Sequence, residues 1–285
     1  MSAAIRFDCV GCGKPFELEI PDGAVGVAQK LYADRLCPAC NDVKHQEFMS
    51  ADDRLRQRSA EEKRALFLAA CGIPEGLQGK SFDNFDPRFD GGRYTEAHQR
   101  CQAWAEAFNP RKAADSSSIV LYASGYGTGK THMAAAIGRT VIQKLSNDNA
   151  MGFGNPVHFT TAADALIRIS ASRVPDFAGG SRETESVVYD QLGGTRLLIL
   201  DDVGKERPRA DLQEFYYTII NRRYTNNLPI IITSNVPPEA KQGVTLADIM
   251  GEAAVSRLRV MAVSMWLPMD GPDYRRVQAK NLRDK

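Results

Sequence analysis

The chain has 285 residues, of which 43% are hydrophobic and 25% charged, and its formal net charge is +1. No apolar run approaches the roughly 20 residues that span a bilayer, and residues 1–6 lack the apolar core of a signal peptide. We therefore expect a cytoplasmic protein with no membrane partner. The balanced charge gives no global attraction for nucleic acid, so any DNA contact must use a local patch or a groove repeated around an oligomer.

Two CxxC pairs near the start of the chain predict a zinc site. Each CxxC turn presents two thiolates on one side, and two such turns close a tetrahedral Zn²⁺ site. Their separation slightly exceeds the usual spacing, but residues 16–20 alternate like a strand in a longer hairpin. Disulfides are the main alternative, and they are uncommon in a chain without an export signal. The predicted zinc ligands are Cys9, Cys12, Cys37 and Cys40.

We expect three regions along the chain. Residues 1–48 would form a small zinc ribbon-like module, which is too small to fold without its metal. Residues 49–80 would form a helical linker, with Ser50 as the N-cap of a charged helix. A partner-binding role is the alternative for this helix. Residues 81–285 would form the main domain.

The main domain carries a predicted phosphate loop. An apolar run at 119–122 is followed by the residues SGYGTGKTH and then by a helical pattern to residue 145, which is the strand–turn–helix context of this motif. Its backbone amides and helix dipole would face nucleotide phosphates. Lys130 would reach the β- and γ-phosphates and Thr131 would hold Mg²⁺. The predicted nucleotide-binding residues are Ser124, Gly125, Tyr126, Gly127, Thr128, Gly129, Lys130, Thr131 and His132.

Polar residues end two further predicted strands. Asp201 and Asp202 follow the apolar run at 197–200, at the end of a strand where parallel sheets bind ligands. Asp201 would hold Mg²⁺ through water, and Asp202 would orient or deprotonate the attacking water. Asn235 ends the next strand and would touch the γ-phosphate and this water, although a simple strand-ending turn is the alternative.

The order of the predicted elements indicates an α/β fold. Strands at 119–122, 157–160, 197–201, 228–235 and 262–267 alternate with helices at 130–145, 162–170, 209–225 and 246–260. This alternation predicts a parallel sheet that helices cover on both faces. A polar, glycine-rich segment is expected at 172–186. About 50 residues follow Asn235, too few for a full helical lid, so the pocket should be open.

The chain resembles the DnaC/DnaI-like AAA+ ATPases, which are replicative helicase loaders, and the IstB-like transposition helpers that share their core. The resemblance covers roughly residues 71–280. A zinc-binding module before this core is similar to the DnaI-type layout. The motifs that carry the resemblance are GIP at 72–74, SFDNFD at 81–86, GTGKTH at 127–132, LILDDVGKE at 198–206, NRRY at 221–224, IITSN at 231–235, GEAAVSRL at 251–258 and GPDYR at 271–275.

The resemblance implies an AAA+ P-loop ATPase that uses ATP/ADP and Mg²⁺ and works as a helicase loader. It implies three partners: a DnaB-like replicative helicase, single-stranded DNA and further copies of the chain. Arg257 matches the arginine finger that is donated to a neighbouring subunit, and Arg275 matches an arginine that senses nucleotide in its own subunit. Ala253 departs from the pattern, because some members carry an arginine there. A transposition helper and a nucleotide-gated adaptor with negligible hydrolysis are the alternatives.

Overall fold

The computed structural model describes residues 2–21, 36–145, 154–173, 183–205 and 210–277. The chain divides into two compact units, 1–61 and 62–285. The division falls inside helix α1 (Pro38–Ala70), which continues through the boundary that the sequence suggested at residue 48. The predicted division into three regions therefore stays a prediction.

The first unit contains a β-hairpin followed by the start of α1. Strands β1 (Ser2–Asp8) and β2 (Pro15–Pro21) are antiparallel, with Ser2 opposite Pro21 and Asp8 opposite Pro15. The predicted strand at 16–20 is confirmed. The helix expected from Ser50 begins earlier, at Pro38, because proline suits the first turn of a helix, where its missing N–H costs nothing.

The second unit is built on a five-stranded parallel sheet, in the order β4-β5-β6-β3-β7. The predicted parallel α/β sheet is therefore confirmed. The strands are β3 (Ile119–Tyr122), β4 (Val157–Thr161), β5 (Leu197–Val203), β6 (Ile230–Ser234) and β7 (Trp266–Pro268).

Helices separate these strands along the chain. They are α2 (Glu75–Gln78), α3 (Phe89–Gly92), α4 (Thr95–Ala107), a 3₁₀ helix (Pro110–Asp115), α5 (Lys130–Gln143), α6 (Ala162–Ser172), α7 (Glu185–Gly194), α8 (Ala210–Thr225), α9 (Leu246–Met250) and α10 (Glu252–Ala262). None of the helices in the described ranges combines the length and the hydropathy that a membrane span requires.

Two helix predictions were incomplete. Helix α7 was not predicted, because the segment before it is polar and glycine-rich. The single helix expected at 246–260 is two helices, since Gly251 has a φ of 83° and separates α9 from α10. Residues 274–277, the last that the structure describes, are helical, and the predicted lack of a full helical lid stays a prediction.

The sheet is buried on both faces, which explains its continuous apolar strands. Leu198 and Leu200 belong to the core cluster that includes residues of α6, α7, α8 and α10. Ile199 faces the other way, against α5, where a Cβ on Gly138 would lie 2.8 Å from Ile199 Cδ1. This close packing places the carboxyl ends of β3, β5 and β6 beside the first turn of α5.

Candidate nucleotide site and metal centre

The phosphate loop connects β3 to α5 and depends on two glycines. Gly127 and Gly129 have φ values of 69° and 91°, in the region that side chains rarely adopt. A Cβ on Gly127 would lie 1.8 Å from Asp273 Oδ1, so no larger residue fits there. Helix α5 begins at Lys130. Its first backbone N–H groups lack partners within the helix and are suited to hold an anion.

Lys130 is buried inside the phosphate loop. Its Nζ donates to Gly125 O at 2.9 Å and to Thr128 Oγ1 at 3.1 Å. Burial lowers the pKa of Lys130 to about 8. The buried ammonium group therefore has only neutral oxygens as hydrogen-bond partners, and burial of its charge is unfavourable. Negatively charged phosphate oxygens would be stronger partners for it.

Thr131 and Asp201 meet at the end of β5. Thr131 Oγ1 donates to Asp201 Oδ1 at 2.9 Å, and Thr233 Oγ1 donates to the same oxygen at 2.5 Å. Burial raises the pKa of Asp201 despite these two hydrogen bonds. A hydroxyl beside a carboxylate is a donor set that fits Mg²⁺, so the chemistry of the pair agrees with the predicted magnesium site. The sequence did not single out Thr233, which lies inside an apolar strand.

Asp202 follows Asp201 but has a different environment. Its φ is 64°, an uncommon conformation for a residue other than glycine. Asp202 Oδ1 accepts a hydrogen bond from Asn235 Nδ2 at 3.1 Å, and Oδ2 forms an ion pair with Lys205. The structure thus brings together the two residues, Asp202 and Asn235, that were predicted to act on the attacking water.

A cavity of about 600 Å³ lies over these residues, a size that suits a small ligand or nucleotide. Its other wall is aromatic, and Phe85, Phe89, Tyr94 and Tyr274 form it. The sequence did not assign these residues to the site, although the aromatic motif at 81–86 was the available signal. The predicted site residues that line the cavity are Tyr126, Gly127, Thr128, Gly129, Lys130, Thr131, His132, Asp202, Asn235 and Arg275.

Four predicted site residues are absent from the cavity lining: Ser124, Gly125, Asp201 and Arg257. The first three lie at the phosphate loop and the strand ends, and the backbone N–H of Ser124 donates to Asp270 Oδ1 at 2.7 Å.

Arg257 has a separate environment between α8 and α10. Its guanidinium donates to Asn221 Oδ1 at 2.9 Å and to Ala253 O at 3.0 Å, and it lies over the Tyr217 ring at 4.9 Å. Arg257 therefore contributes nothing to its own chain's cavity.

The four predicted zinc ligands of the first unit converge. All four sulfur atoms lie within 4.8 Å of one another. Cys12 Sγ is 3.7 Å from Cys37 Sγ, close to the separation of about 3.8 Å that tetrahedral Zn–S bonds of about 2.3 Å require. The backbone N–H of Cys37 lowers the pKa of the Cys9 thiol to about 6, whereas the neighbouring thiols raise that of Cys40 to about 12. Four thiols at this spacing fit a Zn²⁺ ion, which would allow all of them to ionise.

Comparison with known proteins identifies a family and relatives that match most of the chain. Residues 105–281 match the model of a family described as IstB-like ATP binding protein. A replicative helicase loader DnaC of Buchnera aphidicola subsp. Acyrthosiphon pisum is 25% identical over 80% of this chain and 81% of its own. A protein of Mycobacterium tuberculosis, described as an ATP-binding protein in an insertion sequence, is 27% identical over 82% of both chains.

A solved structure supports the fold. The crystal structure of the DnaC helicase loader matches 70% of this chain and 100% of its own, with 20% identity and a TM-score of 0.51. At this identity the likeness supports the AAA+ P-loop fold alone, which the sequence also predicted.

Proposed function

Because the chain belongs to the IstB-like ATP-binding protein family, we propose that it is an ATPase that loads a replicative helicase onto single-stranded DNA. The observation that carries the proposal is the convergence of Lys130, Thr131, Asp202 and Asn235 at one cavity. Together these residues supply what phosphoryl transfer to water needs: a cation for the phosphates, a metal ligand and groups that position the water.

In this proposal the phosphate loop and Lys130 bind the β- and γ-phosphates. Mg²⁺, held by Thr131 and through water by Asp201, would neutralise charge on those phosphates. Asp202 and Asn235 orient a water molecule for in-line attack on the γ-phosphorus. The new P–O bond forms as the bond to the β-γ bridging oxygen breaks, and Asp202 accepts the proton of the water. The products are ADP and inorganic phosphate.

The proposal of a helicase loader rests on two observations. Relatives named as replicative helicase loaders align over most of the chain, and the four-cysteine unit gives the chain a second module, which we propose contacts the helicase. We propose that further copies assemble beside the helicase and that Arg257 enters the neighbouring site. The Mycobacterium tuberculosis relative supports the second candidate, an ATPase that assists DNA transposition.

Two substitutions test the ATPase proposal. Lys130→Ala should abolish ATP binding, because it removes the cation that the loop aims at the phosphates. Asp202→Asn should bind ATP normally and slow hydrolysis about a hundredfold, since a water-activating group contributes roughly that factor or more. Equilibrium binding and phosphate release, each with and without single-stranded DNA, measure both effects.

Lys112→Met, at an exposed lysine outside the cavity, is the matched control. An Asp202→Asn variant that hydrolyses ATP at the wild-type rate would contradict the catalytic assignment. Negligible turnover in the wild type under all conditions would favour the nucleotide-gated adaptor. Capture of a replicative helicase, rather than a transposase, by the full chain separates the loader from the transposition helper.

A further inference from the structure

Among the residues that the structure describes, three lysines line the nucleotide cavity, Lys80, Lys130 and Lys205, and the proposed mechanism does not use Lys205. It lines the same cavity as Lys130, and its Nζ is paired with Asp202 Oδ2. The pairing raises the pKa of Lys205, so the lysine stays charged. Lys130 therefore approaches this cavity from the phosphate loop, Lys205 from the turn after β5, and Lys80 from the segment after α2.

The turn that carries Lys205 is fixed by its neighbours. Asp202 and Gly204 have φ values of 64° and 97°. A Cβ on Gly204 would lie 2.7 Å from Val236 Cγ2, so only glycine fits at that point. Ser234 Oγ donates to Val203 O at 2.7 Å and ties the turn to β6. These contacts hold the backbone of Lys205 close to Asp202, three residues earlier, whose carboxylate the Lys205 side chain contacts.

The carboxylate of Asp202 has a donor on each of its oxygens, Asn235 on Oδ1 and Lys205 on Oδ2. A carboxylate oxygen that holds an ammonium group is not free to contact a water molecule. Asn235 directly follows β6, whereas the Lys205 side chain is long, flexible and 57% exposed. For Asp202 to accept a proton from water, Lys205 is therefore the donor that can leave.

We infer that Lys205 senses whether a γ-phosphate is bound. Its ammonium group pairs with Asp202 while no γ-phosphate is present, and it moves to the γ-phosphate when ATP binds. This inference rests on the proposed ATPase function. The attacked phosphorus is separated from Asp202 by one water molecule, so the γ-phosphate lies close to the ammonium group. A terminal phosphate carries about two negative charges and attracts the ammonium more strongly than one carboxylate does. ADP has no such group and leaves the pair with Asp202 intact.

The test compares the affinity for a non-hydrolysable ATP analogue with the affinity for ADP. Lys205→Met should weaken binding of the ATP analogue about tenfold, because a charge-assisted hydrogen bond to phosphate is lost, and should leave ADP binding within about twofold. Lys205→Arg keeps a cation at the site and should restore most of the difference. In steady-state assays of Lys205→Met, the KM for ATP should rise more than kcat changes. Lys112→Met is again the control.

Equal weakening of ATP-analogue and ADP binding, or no change in either, would overturn the inference. So would a Lys205→Arg variant that behaves like Lys205→Met. Retained ADP affinity shows that the variant is folded. Failure of the proposed function has a different signature, because then the wild-type chain would not bind ATP or Lys130→Ala would bind it normally.

Discussion

The four-cysteine site and the nucleotide site both gather side chains from distant parts of the sequence, but they are held in opposite ways. Cys9 and Cys12 lie on a hairpin turn, whereas Cys37 and Cys40 lie at the start of α1. In the nucleotide site, Thr131, Asp201 and Thr233 come from three elements of the second unit, residues 62–285, which we call the sheet unit. Both threonines donate a hydrogen bond to Asp201.

The difference lies in what stabilises each unit. Among the four cysteines of the predicted zinc site only Cys9 is buried, and a two-stranded hairpin has little core of its own. The sheet unit buries both faces of its strands. The metal would therefore create the first site together with the fold around it, whereas the fold of the second unit creates a site that is ready before any ligand binds.

The largest expected effect tests this difference directly. Cys37→Ser should release the zinc and unfold residues 1–48, because structural Zn²⁺ contributes about 10 kcal/mol or more to small domains of this kind. The sheet unit should keep its fold and its ATP affinity. Elemental analysis measures the zinc. Tryptophan fluorescence reports the second unit alone, since Trp104 and Trp266 both lie there.

If elemental analysis finds no stoichiometric zinc in the freshly purified wild-type chain, the predicted zinc site is wrong. Loss of ATP binding in Cys37→Ser would contradict the independence of the two units. Cys101→Ser is the matched control, because this cysteine lies in the sheet unit outside the zinc cluster.

The second prediction asks whether the nucleotide site is complete within one chain. Arg257 is held by Asn221 and Tyr217, outside its own cavity, so we expect it to act on a neighbouring copy. Arg257→Ala should slow hydrolysis about a thousandfold if it is the main stabiliser of the transferring phosphate. A mixture of Arg257→Ala and Lys130→Ala should regain partial activity, since an intact cavity can then receive an intact arginine.

Co-assembly of the two variants must be shown by differently tagged chains. Co-assembly without recovered activity would show that Arg257 acts as a structural residue of its own chain. Lys112→Met mixed with Lys130→Ala is the reference, because it fixes how much activity mixing alone produces.

The parts of the site that could be predicted from sequence share one property. Lys130, Asp202 and Asn235 each stand at a fixed offset from the end of an apolar strand, and parallel strands bring those ends to one edge. Local spacing and topology were therefore sufficient to bring them together. Strands β3, β5 and β6 were predicted for the same reason, since each begins as a short apolar run. The last strand was expected at 262–267, but α10 runs into this range and β7 begins only at Trp266.

The residues that were missed depend on side-chain partners that spacing does not reveal. Thr233 accepts from Asp202 N at 2.8 Å while it donates to Asp201, but in sequence it is one polar residue in a strand. Lys205 pairs with Asp202 only because Gly204 reverses the chain. Helix α7 was missed because it follows a polar, glycine-rich segment and ends in Gly193 and Gly194, which have low helix propensity.

The smallest expected effect concerns the sheet unit, which contains a half-buried histidine with a buried ring nitrogen. His158 lies in β4, and its Nε2 has no hydrogen-bond partner among the described residues. Burial, with the nearby guanidinium of Arg168, lowers the pKa of His158 to about 4. In the unfolded chain its pKa is about 6.5. Between these values the unfolded state binds the extra proton, so the folded state loses stability as the pH falls below about 6.5.

By pH 5 this difference should cost the sheet unit about 1 to 2 kcal/mol relative to pH 7, and partial exposure of the ring favours the lower figure. His158→Leu removes both the proton site and the unpartnered nitrogen, so its free energy of unfolding should fall less between pH 7 and pH 5. Denaturant titrations followed by tryptophan fluorescence isolate this unit from loss of zinc at low pH. An equal loss of unfolding free energy in the wild type and in His158→Leu would show that groups other than His158 cause the acid sensitivity of the sheet unit.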